Sequence, residues 1–401
     1  MWSASRRVLF LTVFIDLLGF GIVVPMLAFC AKQYGASGAV LGMILGSFSL
    51  MQFLFSSVWG RLSDRIGRRP VIMTSLLGNV LGFCVFAVAS SVPMLFVSRI
   101  LCGIAAASVS TAQAYIADST DDSNRSAGMA MIGMAFGLGI VLGPPIGGIL
   151  SGFFSSPNLL PGAVAAGLSA IAFTMATVAL PESNPRRAQA ARWSLLDHES
   201  WMIFFRMRGL RLAGGSLAVL MFTLASLAPI LVLVGRDRFA MTAREVGYLF
   251  GLMGLVVVVL QATAIGRLTR RFGDVGTGIG GAAALMAGLL IVPFTQSRGA
   301  LAAATCLMGA GQALCNPALT AYISKISPPT HRGAILGVST SLNALARVIG
   351  PAAAGLAYDA LHAPGALLSQ AAIVTLGIVL SLRLIAKSAA LPAAGAAQLV
   401  E

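Results

Sequence analysis

Apolar runs of roughly twenty residues alternate with short segments carrying Arg, Pro, Asp or Gly from Val8 to Ile385, and a run of that length crosses about 30 Å of hydrocarbon as a helix. Twelve such runs predict transmembrane helices at 8–30, 37–59, 71–91, 93–116, 127–151, 160–180, 213–235, 244–265, 275–294, 299–322, 334–357 and 365–383. The third and fourth are divided only by the turn Ser90-Ser91-Val92-Pro93. Nearly every face of each run is apolar, so periodicity does not say which face meets protein. The alternating segments of about ten residues that build a membrane β-barrel are absent. The pattern predicts an all-α integral membrane protein.

Composition agrees with this. Of the 401 residues, 57% are hydrophobic and 10% charged, too little charge to cover a soluble surface of this size. Arg6 and Arg7 precede the first run, which is too long for a signal peptide and leads straight into further spans, so it is expected to be retained. A formal charge of +14 raises nucleic acid as a partner in a soluble chain. Its distribution argues otherwise. With the N-terminus cytoplasmic, twenty basic residues fall on the cytoplasmic side and five, Lys32, Arg236, Arg238, Arg244 and Arg298, on the other. This is the positive-inside pattern, and it predicts both termini in the cytoplasm of a cell inner or plasma membrane protein. Basic residues near the lipid surface make membrane lipids a partner and nucleic acid none. Cys30, Cys84, Cys102, Cys306 and Cys315 form no CxxC pair and read as small packing residues, giving no metal site and no cofactor.

The longest connection, from about Pro181 to Gly214, carries Arg186, Arg187, Arg192, Arg206, Arg208 and Arg211 and divides the runs six and six. The predicted organisation is an N-terminal six-helix bundle over 1–181, a basic cytoplasmic linker over 182–212, and a C-terminal six-helix bundle with a short tail over 213–401. Within the linker, Trp201 to Leu212 mixes large apolar residues with arginine and reads as an interfacial helix or a topological anchor. The halves repeat. Gly60-Arg61-Leu62-Ser63-Asp64-Arg65-Ile66-Gly67-Arg68 matches Gly266-Arg267-Leu268-Thr269-Arg270-Arg271-Phe272-Gly273-Asp274 at a displacement of 206, and Arg125, Gly143, Pro144 and Gly148 match Arg332, Gly350, Pro351 and Gly355 at 207. Two similar bundles around one cavity are able to rock between inward-open and outward-open arrangements, the mechanics of a secondary transporter. A duplicated channel would satisfy the repeat too, but no selectivity-filter segment is evident.

The segment Gly60 to Arg69, followed by Pro70, carries the pattern GxLSDRxGRRP between spans two and three and resembles the major facilitator superfamily over almost the whole chain. Within it, the chain is similar to proton-coupled drug exporters, including bacterial tetracycline efflux proteins. Three segments carry that likeness: Asp16-Leu17-Leu18-Gly19-Phe20-Gly21 with Pro25; Arg99-Ile100-Leu101-Cys102-Gly103; and Gly139 to Gly148, with Gly143, Pro144, Pro145 and Gly147, which resembles the antiporter motif. The resemblance implies two pseudo-symmetric bundles, protons and a small amphipathic solute as partners, no enzymatic activity and a monomeric protein. One departure weakens tetracycline as the solute: 275–294 carries no acidic residue, where tetracycline exporters have one.

Asp16 stands deep in span one, where a carboxylate is costly and must face protein or water. Burial favours a neutral carboxyl and a nearby cation the charged form, so a group between those influences is able to take a proton in one state and release it in another. An ion pair or edge cap is the plainer alternative. The resemblance implies proton coupling or contact with a cationic drug. Arg99 is intramembrane but keeps its proton, so it either tunes a neighbouring carboxyl or anchors hydrogen bonds. Gly60, Asp64, Arg65, Gly67, Arg68 and Arg69 form the predicted cytoplasmic gate, with Asp118 and Arg125 as its complement; Asp64 is expected to accept from backbone donors at a helix N-terminus. In span five Gly139, Gly143, Gly147 and Gly148 flank Pro144, a composition for close helix approach and a seam between the bundles. Gln113, Gln312, Asn316 and Arg347 are candidates for the solute cavity, against interhelical hydrogen bonding as the general alternative. The expected function is proton-driven export of drugs by alternating-access antiport. The rivals are a proton-linked exporter of a sugar, amino acid or other metabolite, and a transporter-shaped receptor or assembly protein.

Overall fold

The computed structural model describes residues 4–106, 108–119, 122–153, 156–183, 198–328 and 331–388. Asp121, the connection bearing Arg186, Arg187, Arg192 and Asp197, and the tail from 389 lie outside the described residues. The chain forms two compact units, Met1–Trp193 with Gly235–Gly251, and Ser194–Val234 with Leu252–Glu401. The stretch 235–251, expected within the second bundle, therefore clusters with the first. Among the described residues every regular element is helical, as lipid requires of a chain that must satisfy its backbone internally.

The first unit contains α1 (Ala4–Gln33), α2 (Gly38–Ile66), α3 (Arg68–Ala87), α4 (Val92–Ala105), α5 (Ser108–Ser119), α6 (Asp122–Leu150) and α7 (Leu159–Ala179). Their boundaries follow local chemistry. Gly35, at φ 78°, turns the chain after α1, and Ser37 caps α2 by accepting from the Val40 amide at 3.2 Å. Gly67, at φ 105°, separates α2 from α3. The second stretch of chain forms α8 (His198–Arg206), α9 (Arg208–Phe239), α10 (Ala243–Thr263), α11 (Ile265–Ile291), α12 (Arg298–Ile326) and α13 (Arg332–Ser388). Two of these are broken: α11 at Gly273 (φ 72°) and α13 at His362 (φ 57°). α13 consists of two helices that meet at His362, and this break falls in the gap expected between 334–357 and 365–383.

Nine stretches among the described residues are long and apolar enough to cross a membrane, against twelve expected. The difference has three sources. Ala334–Leu384 counts once although it contains the His362 break. In α6 the apolar part is the shorter Gly137–Leu150, and α12 is not among the nine. Its sequence dilutes leucine with alanine, glycine, Gln312 and Asn316. Large apolar side chains such as Val178 (81% exposed) and Leu81 (55%) stand on helix exteriors, a pattern that lipid covers and water would penalise.

In the first unit α1 packs against α6 and α7, and α3 against α4 and α7. The α1–α6 approach is backbone to backbone. A Cβ on Gly143 would stand 2.5 Å from the Gly21 Cα, and one on Gly21 would stand 2.6 Å from the Gly139 oxygen. The second unit repeats the device 207 residues later, where a Cβ on Gly350 would stand 2.6 Å from the Phe222 oxygen of α9. Lipid gives apolar helices no hydrophobic reason to associate, so close van der Waals packing over small residues carries the contact.

At the end of the first unit away from Gly67, buried Asn158 ties α7 to the end of α3. Its Nδ2 donates to the carbonyls of Phe86, Ala87 and Ala89 at 2.9, 3.2 and 2.7 Å, and the Tyr34 hydroxyl donates to Ala89 at 2.7 Å. Phe86 and Ala87 belong to the last turn of α3, where carbonyls lack a partner further along the helix, and Ala89 lies just past it. Asn158→Ala should cost about 2 kcal/mol of stability through their loss. The thermal midpoint in detergent measures it, and an unchanged midpoint would show the clasp to be idle.

Candidate functional site

Three groups of polar side chains stand out, and the first lies inside the first unit. Asp16, on α1, is 5% exposed, and its Oδ1 accepts from Asn79 Nδ2 of α3 at 2.8 Å. Arg99, on α4, is 1% exposed. Its Nη2 stands 3.4 Å from Ser98 Oγ and 3.7 Å from Cys102 Sγ, and its guanidinium carbon lies 6.0 Å from the centre of the Phe83 ring. Ser98 gives its own proton to the Gly82 carbonyl at 2.7 Å, leaving an oxygen lone pair towards the arginine. Arg99 Nε and Nη1 have no hydrogen-bond partner among the described residues, and none of its partners is a carboxylate. Cys102 lies within electrostatic reach of both Arg99 and Asp16. A fixed guanidinium in low dielectric with open donors is a strong attractor for an anionic oxygen.

The predicted close approach of span five positions this group. Gly139, Gly143 and Gly147 seat α1 through Leu17, Gly21 and Ile22, in the same unit. Gly148 faces the start of α10, where a Cβ would stand 2.7 Å from the Arg244 Cα, and Gly247 packs on the Pro144 carbonyl. These contacts are the physical reason that 235–251 clusters with the first unit.

The second group is built around Gly67. Arg68, the first residue of α3, reaches Asp64 at 2.7 Å and Asp118 at 2.8 Å, and donates to Ser63 Oγ at 2.6 Å. The carboxylate on the backbone donors is Glu182, where the sequence had pointed to Asp64. Glu182 Oε1 accepts from the Arg68 amide at 2.9 Å and Oε2 from the Arg69 amide at 3.2 Å. Arg69 donates to the Thr177 carbonyl of α7. Gly67 has a positive φ, and any Cβ there would strike the Glu182 carboxylate. Arg65 is exposed, as is Gly60, whose Cβ would meet open space. Arg125 lies in α6, with its side chain outside the described ones. Sequence reasoning missed Ser63 and Glu182. Glu182 follows Pro181 at the end of span six, and nothing local shows that it returns 114 residues to α3.

The cavity candidates are scattered. Gln113 is exposed in the first unit; in the second, Gln312 is half-buried, and exposed Asn316 accepts from Thr320 Oγ1 at 3.2 Å. Arg347 is half-buried on α13 with no acidic partner among the described residues, one turn after Asn343, whose Oδ1 is buried without a partner. In the first unit a cavity of about 620 Å³ opens at the end away from Gly67, and the charged residues in its lining are Arg236 and Arg244.

Comparison with known proteins places these features in context. The model of the Major Facilitator Superfamily matches residues 9–237 and 213–398. The class C tetracycline resistance protein of Escherichia coli is 31% identical over 350 residues, covering 85% of this chain and 86% of that protein. Multidrug resistance protein 2 of Bacillus subtilis (strain 168) is 27% identical over 393 residues, covering 93% and 94%. The crystal structure of the human organic anion transporter MFSD10 superposes with a TM-score of 0.71 at 25% identity, covering 94% of this chain and 99% of that one.

The Glu182 cap yields a graded expectation. Glu182→Gln keeps one acceptor oxygen and should cost roughly 1 kcal/mol, whereas Glu182→Ala removes both and should cost roughly 2 kcal/mol. Thermal midpoints of the two variants check the order, and equal midpoints would refute the cap.

Proposed function

Since the chain belongs to the Major Facilitator Superfamily and has the fold of a secondary transporter and not of an enzyme, we propose that it exports drugs, tetracycline-like or other amphipathic compounds, by alternating-access antiport with protons. The observation that carries the reading is the buried Asp16 carboxylate, held by Asn79 in the neighbourhood of an Arg99 with two open donors. Asp16 is the group able to change charge there, and Arg99 is the fixed charge against which the change is felt. Protonation of Asp16 removes an anion from an apolar interior, which alters the relative free energy of the two rocking states. A solute that binds one state better is then linked to the proton through that same equilibrium. The similarity to proteins named for tetracycline and multidrug resistance supports the drug as solute.

In this reading the bundle has twelve crossings: α6 and α12 each cross once, and α13 crosses twice, on either side of His362. The bias of twenty basic residues to five sets both termini and the Gly67 junction in the cytoplasm, where Arg68, Asp64 and Asp118 act as the gate of a monomeric carrier.

A second reading is favoured by one observation. Arg99 and Arg347 have no carboxylate partner among the described residues, and one of the similar structures is named an organic anion transporter. An anionic amphiphile would supply the missing counter-charge.

Inside-out proteoliposomes with an imposed proton gradient test both, using cationic, neutral, zwitterionic and anionic amphiphiles. Drug antiport predicts accumulation that collapses with the gradient and falls at least about tenfold in Asp16→Asn, with solute binding kept within about threefold. Accumulation confined to anions would select the second reading. Gradient-independent flux, or Asp16→Asn at the native rate, would remove Asp16 from coupling.

A further inference from the structure

The internal repeat aligns Gly67 with Gly273 and Arg68 with Asp274 at 206 residues, and Asp118 with Lys325 at 207. The structure gives the aligned residues the same geometry. Gly67 and Gly273 both adopt a positive φ, at 105° and 72°, and each separates two helices. The residue after each glycine begins the next helix and pairs with a side chain at the far end of another: Arg68 with Asp118 at 2.8 Å, Asp274 with Lys325 at 2.6 Å. In each pair the residue after the glycine is the enclosed one, with side-chain exposures of 11% for Arg68 and 10% for Asp274. Within the pair the charges are exchanged.

The exchange has a physical consequence. A helix N-terminus favours an anion and a C-terminus a cation. Asp274 at a helix start and Lys325 in the last turn of α12 obey that preference at both ends. Arg68 at the start of α3 and Asp118 one residue from the end of α5 oppose it at both ends. The first unit offsets the conflict by bringing Glu182 onto the amides of Arg68 and Arg69. The residue 207 positions after Glu182 is Ala389, which supplies no carboxylate; with Asp274 in place, none is required.

We propose that Asp274 and Lys325 are positioning residues of the second unit, a charge-reversed counterpart of Arg68 and Asp118. The pair holds the helix that starts after Gly273 against the end of α12 and limits how far the two separate. The inference rests on the repeat and on transport in general, not on drug or proton specificity. Basic residues that served only as topological anchors would need Lys325 but not Asp274, and would be indifferent to which position carries which sign.

The test is thiol labelling of the full chain with its five cysteines replaced and Ser327→Cys introduced, at a buried site two residues past Lys325. N-ethylmaleimide is the probe, and thermal midpoints are recorded alongside. Asp274→Asn and Lys325→Gln should each speed labelling by about fivefold, the scale of a partly exposed ion pair, with midpoints near that of the parent. Asp274→Lys with Lys325→Asp together should bring labelling back to within about twofold of the parent, since opposite charges again face each other. Parent-like labelling in both single variants, or a reversed pair that labels as fast as they do, overturns the proposal. If the single variants fail to fold, Lys325→Arg and Asp274→Glu, which keep both charges, are read instead: slow labelling is expected and fast labelling overturns it.

Discussion

The backbone contact between α1 and α6 is the constraint on which the first unit depends. Gly21, Gly139, Gly143 and Gly147 leave no room for a β-carbon along that line, so the two helices approach until main chain meets main chain. In lipid this closeness is itself the source of association, because apolar side chains gain nothing by leaving hydrocarbon for protein. Bringing α1 so far in also fixes Asp16, five residues before Gly21, in an interior where α3 supplies Asn79 and α4 supplies Arg99. The polar cluster is thus a product of the packing, and its carboxylate stays dry only while the glycines keep α1 in place. Gly350 against Phe222 repeats the approach in the second unit, but α9 carries no acidic residue at the equivalent depth. Architecture is duplicated; chemistry is held by one copy.

The helix ends obey a second constraint, that open backbone groups near an apolar interior must find partners. At one end of the first unit Asn158 gives its amide to three carbonyls of α3 and the chain just beyond it; at the other, Glu182 takes two of that helix's amides. Both residues flank α7, so one helix closes both ends of another and fixes its length and tilt. Arg69 adds a third tie to the Thr177 carbonyl. The Gly67 junction is therefore a composite, with charge pairs on the side chains of Arg68 and a carboxylate on its backbone.

Much of this was legible in the sequence, and what was not has a common cause. Runs of apolar residues marked the long helices, because hydrocarbon thickness imposes a length that survives without tertiary information, although the one run 93–116 holds both α4 and α5. The repeat marked Gly143 and Gly350, where a β-carbon has no room, and Gly67 and Gly273, where the backbone takes a positive φ. The sequence marks twelve runs where nine helical stretches of the described residues are long and apolar enough to cross, since α12 mixes its leucines with small and polar residues, α6 is apolar only over Gly137–Leu150, and α13 continues through the His362 break. Long-range partners were hidden altogether. Asp64 is four residues from Arg68 and could be paired by spacing, whereas Glu182 and Asn158 act across 114 and up to 72 residues, and nothing in their neighbours says so. The glycines of α6 were legible as sites of close approach, but composition specifies that a helix comes near and not which one: three of them meet α1, and Gly148 meets the start of α10.

Arg99 brings these constraints together. A guanidinium that cannot lose its proton, buried to 1% exposure with two donors open, is among the costliest side chains in the molecule unless some other state repays it. A purely structural role would be better served by a neutral hydrogen-bonding residue, since Ser98 and Cys102 offer only long, weak contacts. The cost becomes intelligible if an anionic oxygen approaches Arg99 in part of the cycle, whether it belongs to Asp16 or to the solute. In either case the arginine makes the two states unequal in energy, and it does so more strongly the more completely α4 excludes water. The glycines that draw α1 inward and the buried charge that α4 carries are then two parts of one arrangement, the first setting the distance over which the second acts.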